Sequence, residues 1–349
     1  MAERPNDQER QLQALYRELE PDSLYPLWTV LANLVPRQPS SSARAHSWDY
    51  FDVRDKLMRA GDLISAEQAE RRVLIMENPG LPGSASVTTS LYAGLQLILP
   101  GEVAPCHRHS QSALRFVMEG DGAYTAIDGE KAIMRPFDLI LTPNGQWHDH
   151  GNSSADPMIW LDGLDIPMVR SFDAGFAEKL GDAFHPETVG AGDTARRYGR
   201  NMRPLQGTSA DRRPAHQPLF HYSYAEWGES LTDLASSEAP DPHFGHALEF
   251  INPADGGAIM PTISAHVRMV PAGFETKVRR STDATIFVVV KGRGQAVVED
   301  QLYDLADRTI LVVPSWRALQ IRADTDLILF GYSDKIAQQK LGLYKENRG

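Results

Sequence analysis

Two halves of this chain repeat one ordered string of strand and turn signals, and that repetition limits the fold more than any single motif does. In the first half, Pro100-Gly101 precede the polar run His107-Arg108-His109, the apolar run Leu114-Arg115-Phe116-Val117-Met118-Glu119, and Gly120. In the second, Pro271-Ala272-Gly273 precede Val278-Arg279-Arg280-Ser281, the apolar run Ile286-Phe287-Val288-Val289-Val290-Lys291, and Gly292. Farther on, Leu139-Ile140-Leu141-Thr142-Pro143 is echoed by Ile310-Leu311-Val312-Val313-Pro314. Short apolar runs punctuated by Gly and Pro turns predict antiparallel strands closing into barrels, and their recurrence predicts two related barrels.

The rest of the chain frames those barrels. At 349 residues it is long enough for two separate cores. A helical spacing covers 7–20, with Leu12, Leu15, Tyr16 and Leu19 on one face and Pro21 ending it. The apolar stretch 24–35 closes at Pro36, and a second helix is predicted over 52–64. Ser65 with Gln68 forms a capping-box pattern that opens a short helix through Arg72. Strands are predicted over 88–99, 113–119, 123–127, 132–134 and 139–141. The stretch 171–242, which includes the polar run 190–213, shows fewer strand signals and is expected to be helix and loop. The organisation predicted is therefore a helical N-terminal segment (1–75), a first barrel (76–170), a connector (171–245) and a second barrel (246–349).

A formal net charge of −11 without a basic cluster excludes a nucleic-acid function. No apolar run reaches the roughly 18 residues that a membrane span needs. The polar first residues show no signal peptide, and the single cysteine, Cys106, suits a reducing compartment, so a cytoplasmic protein is expected. Cys106 itself faces away from His107 by strand alternation and is expected to be a small buried residue.

Chemistry concentrates at three histidines. His107 and His109 stand at i and i+2, so on a strand both point to one face, and His148 from a later strand can complete a three-nitrogen metal site. Three neutral imidazoles suit zinc, copper, nickel or iron(II). His150 shares the face of His148 and can orient a substrate, supply a proton, or simply be a buried polar neighbour. Arg115 lies within an apolar run, where a charge needs a partner: a substrate carboxylate, or Glu119 or Asp162. In the second half, His107 and His109 correspond to Arg279 and Ser281, and His148 to Arg317 or Leu319. That barrel is expected to bind no metal and to serve packing and assembly. His243 and His246 have metal-like spacing but sit in the Pro- and Gly-containing segment Pro242-His243-Phe244-Gly245-His246, so a loop is expected there.

The order Gly101, His107-x-His109, Gly120, then Pro143-x-Gly145-x-x-His148-x-x-x-Asn152 resembles the two-part cupin signature. Many cupins carry a glutamate where this chain has Ala113, so the metal would keep its full charge and suit a dianionic chelating substrate. More of the chain resembles gentisate 1,2-dioxygenases: Arg71-Arg72, Glu77-Asn78-Pro79-Gly80-Leu81, Ser90-Leu91-Tyr92-Ala93-Gly94-Leu95-Gln96, His107 through Phe116, Trp147 through Asn152, Pro218-Leu219-Phe220, Asn252-Pro253 and Met260-Pro261-Thr262. The resemblance implies a mainly β bicupin, two double-stranded β-helix barrels with a helical N-terminal segment and connector, commonly homotetrameric. It implies iron(II) on His107, His109 and His148, and opening of gentisate by dioxygen to maleylpyruvate. It also implies that Arg115 and Arg71 (or Arg72 beside it) bind the carboxylate, that His150 is close by, and that Gln96, Tyr92, Gly94 and Asp162 line the pocket. Asp162 is the expected receiver of the second ring hydroxyl. The alternatives are salicylate or 1-hydroxy-2-naphthoate dioxygenases of the same fold, or a metal-binding cupin without catalysis.

Overall fold

The strand Ala113–Glu119 shows how the barrels are joined, because it is buried on both faces. Arg115 enters the first barrel, beside Asp162. The strand's even residues, Leu114 and Phe116, point out of that barrel into a core shared with the second, where Phe116 stacks on Phe330 with centroids 4.0 Å apart and planes at 5°. A strand covered on both sides needs a near-continuous apolar run, and this one is broken by Arg115 before it ends at Glu119.

The computed structural model describes residues 7–199, 205 and 219–349. Part of the polar run 190–213, and Pro218 of the resemblance, lie outside the described residues. Residues 1–40 and 41–349 form two compact units. In the first, helix Asp7–Leu19 is followed by a 3₁₀ turn Leu27–Thr29 and helix Leu31–Leu34, and Trp28 Nε1 donates to Tyr16 Oη at 2.9 Å.

In the second unit each barrel has a six-stranded antiparallel sheet. The first runs His221–Tyr222, Leu139–Thr142, Ala113–Glu119, Met158–Leu164, Tyr92–Ile98, Arg72–Ile75. The second runs His46–Trp48, Ile310–Val313, Thr285–Lys291, Leu327–Ser333, Ser264–Val270, His246–Glu249. The four middle strands follow the same order in both, as the repeat predicts. Facing the first of these lies a five-stranded sheet: Ala177–Lys179, Val103–His109, His148–Gly151, Tyr124–Ile127, Glu130–Ile133. A three-stranded sheet faces the second. The chain is thus mainly β and bicupin, with helices Tyr50–Leu63 and Tyr224–Ser237 packed outside the barrels.

Four local expectations change. The helix opened by Ser65 does form the capping box, but it ends at Ala69 and not Arg72. Glu70 takes a left-handed φ of 52°, and Arg72 starts a strand. The predicted strand 88–99 starts at Tyr92, because Thr88 Oγ1 accepts from the Leu91 and Ser90 amides and holds a turn. The connector contributes two short strands, Ala177–Lys179 and His221–Tyr222, to edges of the first barrel. His246 begins a strand paired to Met269 instead of sitting in a loop.

Candidate metal centre and its cavity

His107 and His109 project from strand Val103–His109, and His148 opens the neighbouring strand, where it pairs directly with His107. Ring centroids stand 4.0 Å apart for His107–His148, 4.8 Å for His109–His148 and 5.7 Å for His107–His109. Each ring is oriented by its own backbone. His107 Nδ1 donates to Pro105 O at 2.8 Å, His109 Nδ1 to Gln111 O at 2.9 Å, and His148 Nδ1 to Gln146 O at 3.0 Å. A carbonyl can only accept, so the proton sits on Nδ1 and the Nε2 lone pair is left to a ligand, the arrangement metal-binding histidines use. One nitrogen from each ring lies within 4.8 Å of the others, and His148 Nε2 is buried without a hydrogen-bond partner among the described residues. Burial lowers His107 to about 3 and His109 to about 4, with Arg71 and Arg115 adding repulsion, and it holds His148 well below its ordinary value. All three are therefore neutral at pH 7, as metal ligation requires. The residues fit a metal.

Most of the polar neighbours lie on the opposite sheet, whereas His150 shares the strand of His148. Arg115 and Asp162 are cross-strand partners, and Asp162 in turn faces Gly94. Arg115 is 4% exposed; its Nε stands 3.4 Å from Asp162 Oδ1 and its Nη1 donates to Thr142 Oγ1. Glu119, the other partner weighed for Arg115, is taken by Arg54 at 2.6 Å and Tyr50 Oη at 2.9 Å. Asp162 also accepts from Trp160 Nε1 at 3.0 Å. Burial raises its carboxyl to about 6 against the pull of Arg115. His150, buried at the far side of His148 with centroids 5.6 Å apart, holds Thr125 Oγ1 at 2.9 Å through Nδ1. Gln96 and Tyr92 lie on the strand of Gly94, both buried. A Cβ at Gly94 would meet Tyr92 Oη and Val73 Cγ1 at 2.7 Å, so only glycine fits there without displacing them.

A cavity of about 330 Å³ leads to His107, lined by Arg71, Glu70, Glu67, Val103, Pro105 and Lys179. Of the two adjacent arginines, Arg71 lines it, whereas Arg72 is clamped by Glu102 at 2.7 and 3.0 Å and by Ile64 O. Cys106 is buried with a free thiol. Among the described residues, His107, His109 and His148 are the only group of three or more such side chains close enough for a metal, and His243 and His246 form no part of it. No helix among them is long and apolar enough to cross a membrane. Thr142, Thr125 and Trp160 were not among the residues singled out from sequence. Each is fixed by pairing across the sheet, and a lone Thr or Trp in an apolar run gives no signal of it.

Residues 94–164 match the cupin domain model. A gentisate 1,2-dioxygenase 1 from Aquipseudomonas alcaligenes is 48% identical over 95% of each chain, and a gentisate 1,2-dioxygenase from a Streptomyces species is 36% identical over 97% of this chain and 96% of that one. The crystal structure of salicylate 1,2-dioxygenase from Pseudoaminobacter salicylatoxidans as an adduct with gentisate superposes with a TM-score of 0.91. It is 34% identical and covers 99% of this chain and 96% of that one.

Proposed function

This chain belongs to the family of gentisate 1,2-dioxygenases and related bicupin ring-cleaving dioxygenases, and on that premise we propose that it opens gentisate with dioxygen to maleylpyruvate. The ring breaks between the carboxyl-bearing carbon and the adjacent hydroxyl-bearing carbon, and both oxygen atoms enter the product. The observation behind this reading is a three-imidazole centre with no carboxylate among its ligands, set beside two arginines. Neutral ligands leave a dication's charge for the substrate to balance, which a chelating ortho-hydroxy acid does.

We assign the metal as iron(II), held by His107, His109 and His148. When bound it supplies the one-electron chemistry through which ground-state dioxygen can react with a closed-shell ring. The protein's own groups fix the ring's orientation. The Arg115 fork takes the carboxylate, with Thr142 holding the guanidinium in place. Arg71 adds a second positive charge at the mouth. Asp162, ionised above about pH 6, accepts the second ring hydroxyl and separates gentisate from plain salicylate. His150 is neutral, and because the Thr125 hydroxyl donates to Met134 Sδ, its oxygen is open to accept from Nδ1–H, which makes Nε2 the base for the ortho-hydroxyl proton. Tyr92, Gly94 and Gln96 form the wall behind the ring.

We place the enzyme in the cytoplasm as a homotetramer. The apolar side chains exposed on the N-terminal unit, Tyr25, Leu27, Trp28 and Leu34 among them, offer the surface that such an assembly would cover. The test is oxygen uptake by the iron-loaded protein with gentisate, salicylate and 1-hydroxy-2-naphthoate in parallel. Gentisate should give the largest kcat/KM. Turnover led by another of the three would move the substrate, and no uptake with any would defeat the reading.

A further inference from the structure

The second barrel keeps the first barrel's layout while changing the chemistry of its interior. The bridge between Arg279 and Leu319 repeats the pairing of His107 with His148, so Leu319, and not Arg317, stands at the third ligand's place. Arg279 replaces the first ligand. Opposite Gly331, at the place of Asp162, stands His266, whose ring lies over the glycine: a Cβ there would come within 2.7 Å of it. None of this can hold a metal as the first barrel does. It nonetheless encloses a cavity of about 290 Å³, close in size to the one leading to His107.

The walls of that cavity are charged and deeply buried. Arg268 and Arg279 are 3% and 7% exposed and flank Phe244, with guanidinium carbons 5.1 and 4.6 Å from its ring centre. Arg268 also lies 4.8 Å from the Phe287 ring. Among the described residues, Arg268 Nε, Arg279 Nε and Nη1, and His266 Nε2 find no hydrogen-bond partner. A buried guanidinium left this way is costly unless an anion meets it. Asp283 Oδ1 and Glu346 Oε1 in the same cavity are likewise without a hydrogen-bond partner among the described residues, so the acidic neighbours do not close on the guanidiniums. Glu346 is shared between Arg348 at 3.1 Å and Arg279 at 3.6 Å, and Asp283 accepts from Thr285. Four cations line the cavity (Arg268, Arg279, Lys335, Arg348) against three carboxylates (Glu249, Asp283, Glu346), a surplus of one positive charge, since burial keeps His266 neutral.

We propose that the second barrel is a metal-free binding site for a small ring-bearing monocarboxylate. The carboxylate meets the forks of Arg268 and Arg279, and the ring packs against Phe244 and Leu248. One negative charge matches the surplus, and the volume suits a single ring. The proposal concerns a site separate from the three histidines and does not depend on which acid is turned over there.

Calorimetric titration of the iron-loaded full chain with benzoate under argon tests it. Wild type should bind two benzoates per chain, one in each barrel. Arg268→Met should weaken the second-barrel site at least roughly ten-fold, as loss of a charge-assisted contact does, and leave one benzoate bound at the concentrations used. Should Arg268→Met fail to fold, Ala247→Trp is the second variant. Ala247 pairs directly with Arg268 and is exposed at the cavity wall, so a bulky ring there blocks entry without removing a buried charge. It too should bind one. Arg115→Met should lose the other site and keep this one. Two benzoates on both Arg268→Met and Ala247→Trp, or a single wild-type site abolished by Arg115→Met, would overturn the proposal.

Discussion

Arg115 could be singled out from sequence because a guanidinium inside an apolar strand needs a partner, and its position opposite Asp162 shows what a bound carboxylate must compete with. Arg115→Met should lower kcat/KM for gentisate by about 10- to 100-fold, mostly through KM, which matches the roughly 1.5–3 kcal/mol of a hydrogen bond to a charged group. Steady-state kinetics would show it, and an unchanged KM would remove Arg115 from the carboxylate site. The proposed role of Asp162 predicts a pH dependence. Its carboxyl, raised by burial to about 6, loses its charge as pH falls through that value. KM for gentisate should therefore climb between pH 7 and 5, while KM for salicylate, which lacks the second hydroxyl, should climb less. Asp162→Asn should flatten the difference. The same shift makes the folded chain the better proton binder between 3.8 and about 6, so ionising this group costs stability as pH rises through that window. The three histidines were legible because strand alternation places i and i+2 on one face. Thr142, Thr125 and Trp160 were not, since their roles exist only once Ala113 pairs with Thr142 and Thr125 with His150.

At the scale of elements, the capping box of Ser65 and Gln68 and the left-handed turn at Glu70 together deliver Arg71 to the cavity mouth while Arg72 enters the sheet. Ser65→Ala should cost about 1 kcal/mol of local helix stability and raise KM by a few-fold with kcat unchanged. A fall in kcat at constant KM would show that the helix does something other than place Arg71. The cap was readable from two residues at the right spacing. The helix end was not, because nothing in Glu70 announces a positive φ; the reversal is set by Arg72 pairing with Glu102 thirty residues on. The strands Ala177–Lys179 and His221–Tyr222 escaped for a similar reason. Two or three residues carry no periodicity, and only the barrel edge that they join makes them strands.

At the scale of the molecule, the repeat revealed two barrels but not how they meet. The meeting is a shared core in which Phe116 stacks on Phe330 and Tyr332 Oη donates to Tyr92 O at 3.0 Å, tying the second barrel to the strand that walls the site. Phe330→Ala should cost about 3–5 kcal/mol and lower one cooperative calorimetric transition covering both barrels; two separated transitions would show that they fold apart. The alignment left Arg317 and Leu319 as counterparts of His148, and only the pairing of Leu319 with Arg279 decided between them. The central claim, that three neutral imidazoles and a buried arginine direct both atoms of dioxygen into one ring-opened acid, is tested most directly with isotopically labelled dioxygen. Iron-loaded protein, gentisate and labelled gas should yield a product whose mass spectrum shows two heavy oxygens per molecule, with one dioxygen consumed per ring opened. One heavy oxygen per product under conditions that limit exchange with water, or oxygen consumed with the ring intact, would contradict the account.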